Sequence, residues 1–84
     1  MNVTFSTGAW EDYQYWQKAD RKLLQRINRL IDESCRTPLE GIGKPEPLRH
    51  VLQGAWTRRI DDEHRLVYVP SDGGIFILSC RHHY

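Results

Sequence analysis

Glu46 stands between Pro45 and Pro47, with Lys44 just ahead of it, and Arg49, Arg59, Arg65, Arg81, His83 and Tyr84 follow. A carboxylate, fixed cations, an imidazole and a phenol are parts that can cut RNA without a metal, using the substrate's own 2′-hydroxyl as nucleophile. A base must take the hydroxyl proton, an acid must protonate the departing 5′-oxygen, and cations must hold the charge of the phosphorane. Glu46, on a backbone stiffened by prolines, suits the base. His83 carries an imidazole, which can donate a proton, and suits the acid. The Arg65 guanidinium matches phosphate oxygens in two-point geometry. Arg49 and Arg59 can hold flanking phosphates, and Tyr84 can stack on a base or orient the phosphate.

Each of these residues also has a plainer reading. A Glu in a proline-rich loop is usually just solvated, and Arg65 can simply pair with Asp62 or Glu63. A His beside the C-terminus is often frayed. Trp56 reads as core or interface packing, and His50 and His64 as structural or surface residues. Cys80, just before Arg81-His82-His83, invites a zinc site, but no CxxC or HxxxH spacing accompanies it. No metal and no cofactor is therefore expected, and Cys35 and Cys80 read as reduced, packed thiols.

The elements that must position these groups follow from periodicity. Val3 and Phe5 alternate with polar neighbours as a short strand. Ser6 or Thr7 can cap a helix in which Trp10, Tyr13 and Trp16 share an apolar face, with Glu11 and Asp12 in the first turn. Asp20 can cap a second helix, with Leu23, Leu24, Ile27, Leu30 and Ile31 on its apolar face, so the two form a helical hairpin. Pro38, Gly41, Gly43, Pro45 and Pro47 then punctuate a loop. Strand-like runs follow at 55–60, 65–69 and 75–80, joined by an acidic turn at 61–63 and a turn at 70–74, which suits antiparallel hairpins. The predicted class is α+β: a two-helix hairpin packed on one face of a twisted, mainly antiparallel sheet, in a single domain spanning 1–84. Alternation sets Thr57 and Arg59 opposite Trp56 and Ile60. It sets Arg65, Val67 and Val69 opposite Leu66 and Tyr68, and Ile77, Ser79, Arg81 and His83 opposite Phe76, Leu78 and Cys80. Arg59, Arg65, Arg81 and His83 are thus expected together on the sheet face away from the helices.

Composition is compatible with this reading. Eighty-four residues, 39% hydrophobic and 27% charged, suit one soluble domain with a modest core. The longest apolar run, 75–78, is too short to cross a bilayer, and 1–5 has no signal-type pattern, so a cytoplasmic protein away from membranes is expected. The net charge of +1 is low for a nucleic-acid binder. However, the acids at 61–63 cluster in a turn, while Lys44, Arg49, Arg58, Arg59, Arg65 and Arg81 all fall in the second half.

Ordered motifs carry a resemblance. Lys44-Pro45-Glu46-Pro47-Leu48-Arg49-His50, Gly54-Ala55-Trp56-Thr57-Arg58-Arg59-Ile60, Glu63-His64-Arg65-Leu66-Val67-Tyr68 and Cys80-Arg81-His82-His83-Tyr84 are similar to the YoeB toxins. Trp10-Glu11-Asp12-Tyr13 and Tyr15-Trp16 resemble that family's first helix, and Arg36-Thr37-Pro38-Leu39-Glu40-Gly41 its exit from the second. The resemblance covers essentially the whole chain. It implies the RelE fold of the RelE/ParE superfamily, with a sheet and site like those of microbial ribonucleases. It implies a toxin that enters the ribosomal A site and cuts the bound mRNA, with Glu46 as base, His83 as acid, Arg65 on the phosphate, Tyr84 positioning the substrate and Arg59 as a further basic residue. A homodimer and a YefM-type antitoxin, whose disordered C-terminal segment folds onto the toxin, are implied as partners. Arg49 stands where the family usually has Lys, and His82 where an aromatic residue is common. ParE-type relatives instead poison DNA gyrase, and a non-cleaving RNA- or protein-binding module is a further alternative. Glu46 discriminates among these, because a surface that only binds phosphate gains nothing from a carboxylate.

Overall fold

Both helices begin at the polar residues best able to satisfy free N–H groups. In the computed structural model, which describes residues 1–50 and 52–83, the Ser6 hydroxyl accepts a hydrogen bond from the Ala9 N–H and opens α1 (Thr7–Ala19). The Asp20 carboxylate accepts from the N–H groups of Lys22 and Leu23 and opens α2 (Arg21–Arg36). On α2, Ile27 and Leu30 are wholly buried and Ile31 nearly so. Each contributes about 1.5–3 kcal/mol of transfer free energy as an upper bound.

The face of α1 differs from expectation. Ala9 and Trp16 are buried and Tyr13 packs beside them, whereas Trp10 is 46% exposed and stacks on Tyr13 at the margin. Because the helix starts at Thr7, Glu11 and Asp12 fall beyond its first turn. Asp12 instead accepts a hydrogen bond from the N–H of Cys80, at the far end of the sheet.

The sheet contains β1 (Asn2–Phe5), β2 (Glu46–Pro47), β3 (Trp56–Arg59), β4 (Arg65–Ser71) and β5 (Gly74–Ser79) in the order β1-β5-β4-β3-β2. The pairs β2–β3, β3–β4 and β4–β5 are antiparallel, and β1 joins β5 in parallel. The fold is therefore α+β, two helices on a mixed sheet. Its main core lies between the helices and the face bearing Ile60, Leu66, Tyr68, Ile75 and Ile77. The other face is less open than expected, because Leu48, Ala55 and Val67 make a second, smaller cluster there. The strand β2 replaces part of the expected loop. Pro47 is tolerated because β2 is an edge strand, and the pairing sets Glu46 directly opposite Thr57.

A bulge re-aims the end of β5. Val67 pairs with Ser79 but Tyr68 pairs with Ile77, which leaves Leu78 as the extra residue. Alternation therefore changes phase, and Cys80 joins Ile77 in the core instead of sharing a face with Phe76 and Leu78. Burial there pushes its thiol up to about 12, aided by the nearby Asp12 charge, so Cys80 packs as a neutral thiol. No helix among the described residues is long and apolar enough to cross a membrane.

The segment between α2 and β2 has little regular structure, and a buried guanidinium holds it. Arg58 is fully buried; it donates from Nε to the Tyr68 hydroxyl, from Nη1 to the Ile42 carbonyl and from Nη2 to the carbonyls of Thr37 and Glu40. The hydroxyl of Tyr68 in turn donates to the Pro38 carbonyl. The Lys ammonium cannot reproduce this planar fork. We expect Arg58→Lys to lower stability by about 2 kcal/mol or more, read from the urea midpoint, because carbonyls are left unpaired in the interior.

Candidate functional site

Lys44, Glu46, Thr57, Arg59 and Arg65 wall a pocket of about 210 Å³ on the sheet face away from the helices. Each wall residue is placed by backbone pairing. Thr57 and Arg59 alternate along β3, opposite Glu46 on β2 and Arg65 on β4 respectively. Lys44 enters through a left-handed backbone (φ 51), and the preceding Gly43 is tied to β3 by the Arg59 N–H donating to its carbonyl. Gly43 itself has φ +80, and a Cβ there would press on Leu30 and Arg58, so the approach of this segment to the sheet requires glycine.

Arg65 is held by the acidic turn. Its Nη1 donates to the carbonyls of Asp61 and His64 at 2.7 and 3.0 Å, in place of an ion pair with Asp62 or Glu63 among the described residues. That turn is shaped by the Asp61 carboxylate, which accepts from the N–H groups of Glu63 and His64. Partial burial alone would raise the Asp61 carboxyl, but these N–H donors, with His64 and Arg65 nearby, hold it below the usual range.

The segment after β5 is pinned from several sides. The Trp16 indole donates to the Cys80 carbonyl, the Arg65 N–H donates to the His82 carbonyl, and the His82 N–H donates to Nδ1 of His64 at 2.7 Å. His64 is buried with its ring edge-on to Trp16, which fixes the ring in place. His82 has a left-handed backbone (φ 64), and His83 follows it, exposed.

The arrangement thus joins Glu46, Lys44, Arg59 and Arg65 and adds Thr57, to which the sequence reading gave no role. It does not bring in every expected residue. Arg49 is exposed in the turn after β2, and neither it nor His83 forms a wall. Arg81 lies past the end of β5, where the chain bends out of the sheet, and its guanidinium is 3.5 Å from the centre of the Tyr15 ring on α1, apart from Arg59 and Arg65. Tyr84 lies outside the described residues. With three cations around one carboxylate, the pocket suits an anion whose chemistry also needs a proton acceptor.

The fold defines a class, the small proteins of RelE fold. YafQ from Escherichia coli has that fold, with a TM-score of 0.73 and 19% identity over 98% of this chain and 92% of its own. Closer relatives narrow the class. Toxin YoeB of Streptomyces coelicolor is 54% identical over the full length of both chains. The YoeB dimer from Staphylococcus aureus superposes with a TM-score of 0.93 at 50% identity, covering 100% of this chain and 98% of its own. YoeB of Staphylococcus aureus is also known in a heterotetrameric complex with YefM, with a TM-score of 0.92 at 50% identity over the same shares of the chains. Residues 5–84 match the model of the YoeB-like toxins of bacterial type II toxin–antitoxin systems, and this chain belongs to that family.

Thr57 offers a direct check on the pocket wall. Its hydroxyl is buried without a partner, at a cost of about 1 kcal/mol or more. We expect Thr57→Val, which keeps the shape and removes the unpaired group, to raise the melting temperature by a few degrees in a calorimetric scan.

Proposed function

We propose that this toxin is a metal-independent endoribonuclease that cuts mRNA in the ribosomal A site, with residues 1–84 acting as one cytoplasmic domain. The observation that carries the reading is the carboxylate of Glu46 set among Lys44, Arg59 and Arg65 in one pocket. Glu46 takes the proton of the 2′-hydroxyl, which attacks the adjacent phosphorus. Arg65 holds the non-bridging oxygens as their charge grows, and its anchored guanidinium has little reorganisation to undergo. His83 gives a proton to the departing 5′-oxygen, and Tyr84 positions the substrate. Lys44, Arg59 and Arg49 grip flanking phosphates. Arg81, stacked on Tyr15, is left out of this set.

The known assemblies of the Staphylococcus aureus relative support a homodimer and a YefM-type antitoxin as partners of this chain. A gyrase poison or a module that only binds would use the cations without the carboxylate, so Glu46 favours cleavage over both.

The test is primer extension on purified translating ribosomes in the presence of a chelator. Wild-type protein is expected to cut at the A site, and Glu46→Ala and His83→Ala are expected to lose about a hundred- to ten-thousand-fold in rate while retaining the wild-type circular dichroism spectrum. Arg59→Ala should instead weaken ribosome binding and lower its salt dependence by about one phosphate contact. No cutting by the wild type would overturn the ribonuclease reading.

A further inference from the structure

The acidic turn and the end of the sheet bring Glu63, His64 and His82 together, with one ligand atom of each within 4.8 Å of the others. No spacing in the sequence announces this group, because His82 reaches it only through the pairing of β4 with β5. Nε2 of His64 lies 3.7 Å from a carboxylate oxygen of Glu63, and the rings of His64 and His82 are 5.6 Å apart. Glu63 and His82 are exposed and free to close by the small distance that coordination requires, while buried His64 gives the group a fixed base. Two imidazoles and a carboxylate form a donor set suited to Zn²⁺ with a fourth position left for water.

One ring nitrogen decides what such a metal does. Nδ1 of His64 accepts the hydrogen bond from the His82 N–H, so the proton of the neutral ring sits on Nε2, the atom that faces Glu63. A metal on Nε2 requires the other tautomer, whose Nδ1 proton confronts the His82 N–H. The ion therefore takes His82 by its side chain and releases it by its backbone. His82 has a left-handed φ of 64, and the lost bond is one of those that hold it there.

We propose that Glu63, His64 and His82 form a Zn²⁺ site whose occupation unlatches the backbone at His82 and displaces the His83 that follows it. The inhibitory consequence rests on the role proposed above for His83, but the binding does not. An inhibitory ion agrees with cleavage that proceeds in a chelator.

The experiment is calorimetric titration of the full chain with ZnCl₂, for the wild type and for Glu63→Gln and His82→Phe, both at exposed positions and each checked by circular dichroism. One Zn²⁺ per chain is expected, with at least about tenfold weaker binding in each variant. No uptake by the wild type, or unchanged affinity in either variant, overturns the site. Amide exchange at His82, followed by NMR, should accelerate when Zn²⁺ binds; slower or unchanged exchange overturns the unlatching. In the cleavage assay Zn²⁺ should slow the wild type and spare His82→Phe, and equal slowing of both would overturn the inhibitory route. If the wild type does not cleave at all, the ribonuclease reading falls, while titration and amide exchange still decide this site.

Discussion

Arg58 is a guanidinium in the interior whose described partners are carbonyl and hydroxyl oxygens with no carboxylate among them. A charge in that position is tolerable because its N–H groups are taken up in a planar fan, and because guanidinium is more weakly hydrated than ammonium. The oxygens it gathers belong to Thr37, Glu40 and Ile42, in the segment that leaves α2, and to Tyr68 on β4. That segment has few apolar side chains to hold it down. The interior charge does that work, and the next residues along bring Lys44 and Glu46 into the pocket wall. Glu46 thus owes its place to a residue on the opposite side of β3 from the pocket.

The pocket balances two demands. Phosphate binding favours cations alone, and proton removal requires a carboxylate. Glu46 sits on the edge strand, exposed, with Lys44, Arg59 and Arg65 around the same pocket. Thr57 marks the same economy from below, as a polar wall residue whose hydroxyl meets no protein partner. The left-handed backbones at Lys44 and His82 lie at the two chain segments that bring groups to this end of the sheet. Backbone held in that region by a non-glycine residue needs surrounding bonds to keep it there.

Much of this was legible in the residues. The caps at Ser6 and Asp20 and the apolar stripe of α2 are local, and local chemistry determines them. Alternation placed Thr57, Arg59 and Arg65 on one face because β3 and the start of β4 are regular. The failures begin where regularity ends. The extra residue at Leu78 reverses the faces beyond it and sends Cys80 inward, and Arg81, past the end of β5, leaves the sheet and meets Tyr15. The two-residue strand at Glu46 is too short to carry a pattern, and Trp10 lies on the margin of a stripe whose centre is Ala9. The contact of His64 with His82 depends on register across a hairpin, which composition and spacing do not encode.

The parallel pairing of β1 with β5 matches Asn2 with Gly74, at a glycine whose Cβ would strike the carbonyl oxygen of Asn2. A contact that joins positions so far apart along the chain closes a large loop, and such closures come late in folding. During synthesis the first strand has no partner until residues 74–77 have been made. Until then α1 also lacks the Cys80 groups that pair with Asp12 and Trp16, and the end of the sheet that carries His82 and His83 does not exist. The helical hairpin can form early, but the parallel edge of the sheet and the C-terminal segment that docks on α1 come last.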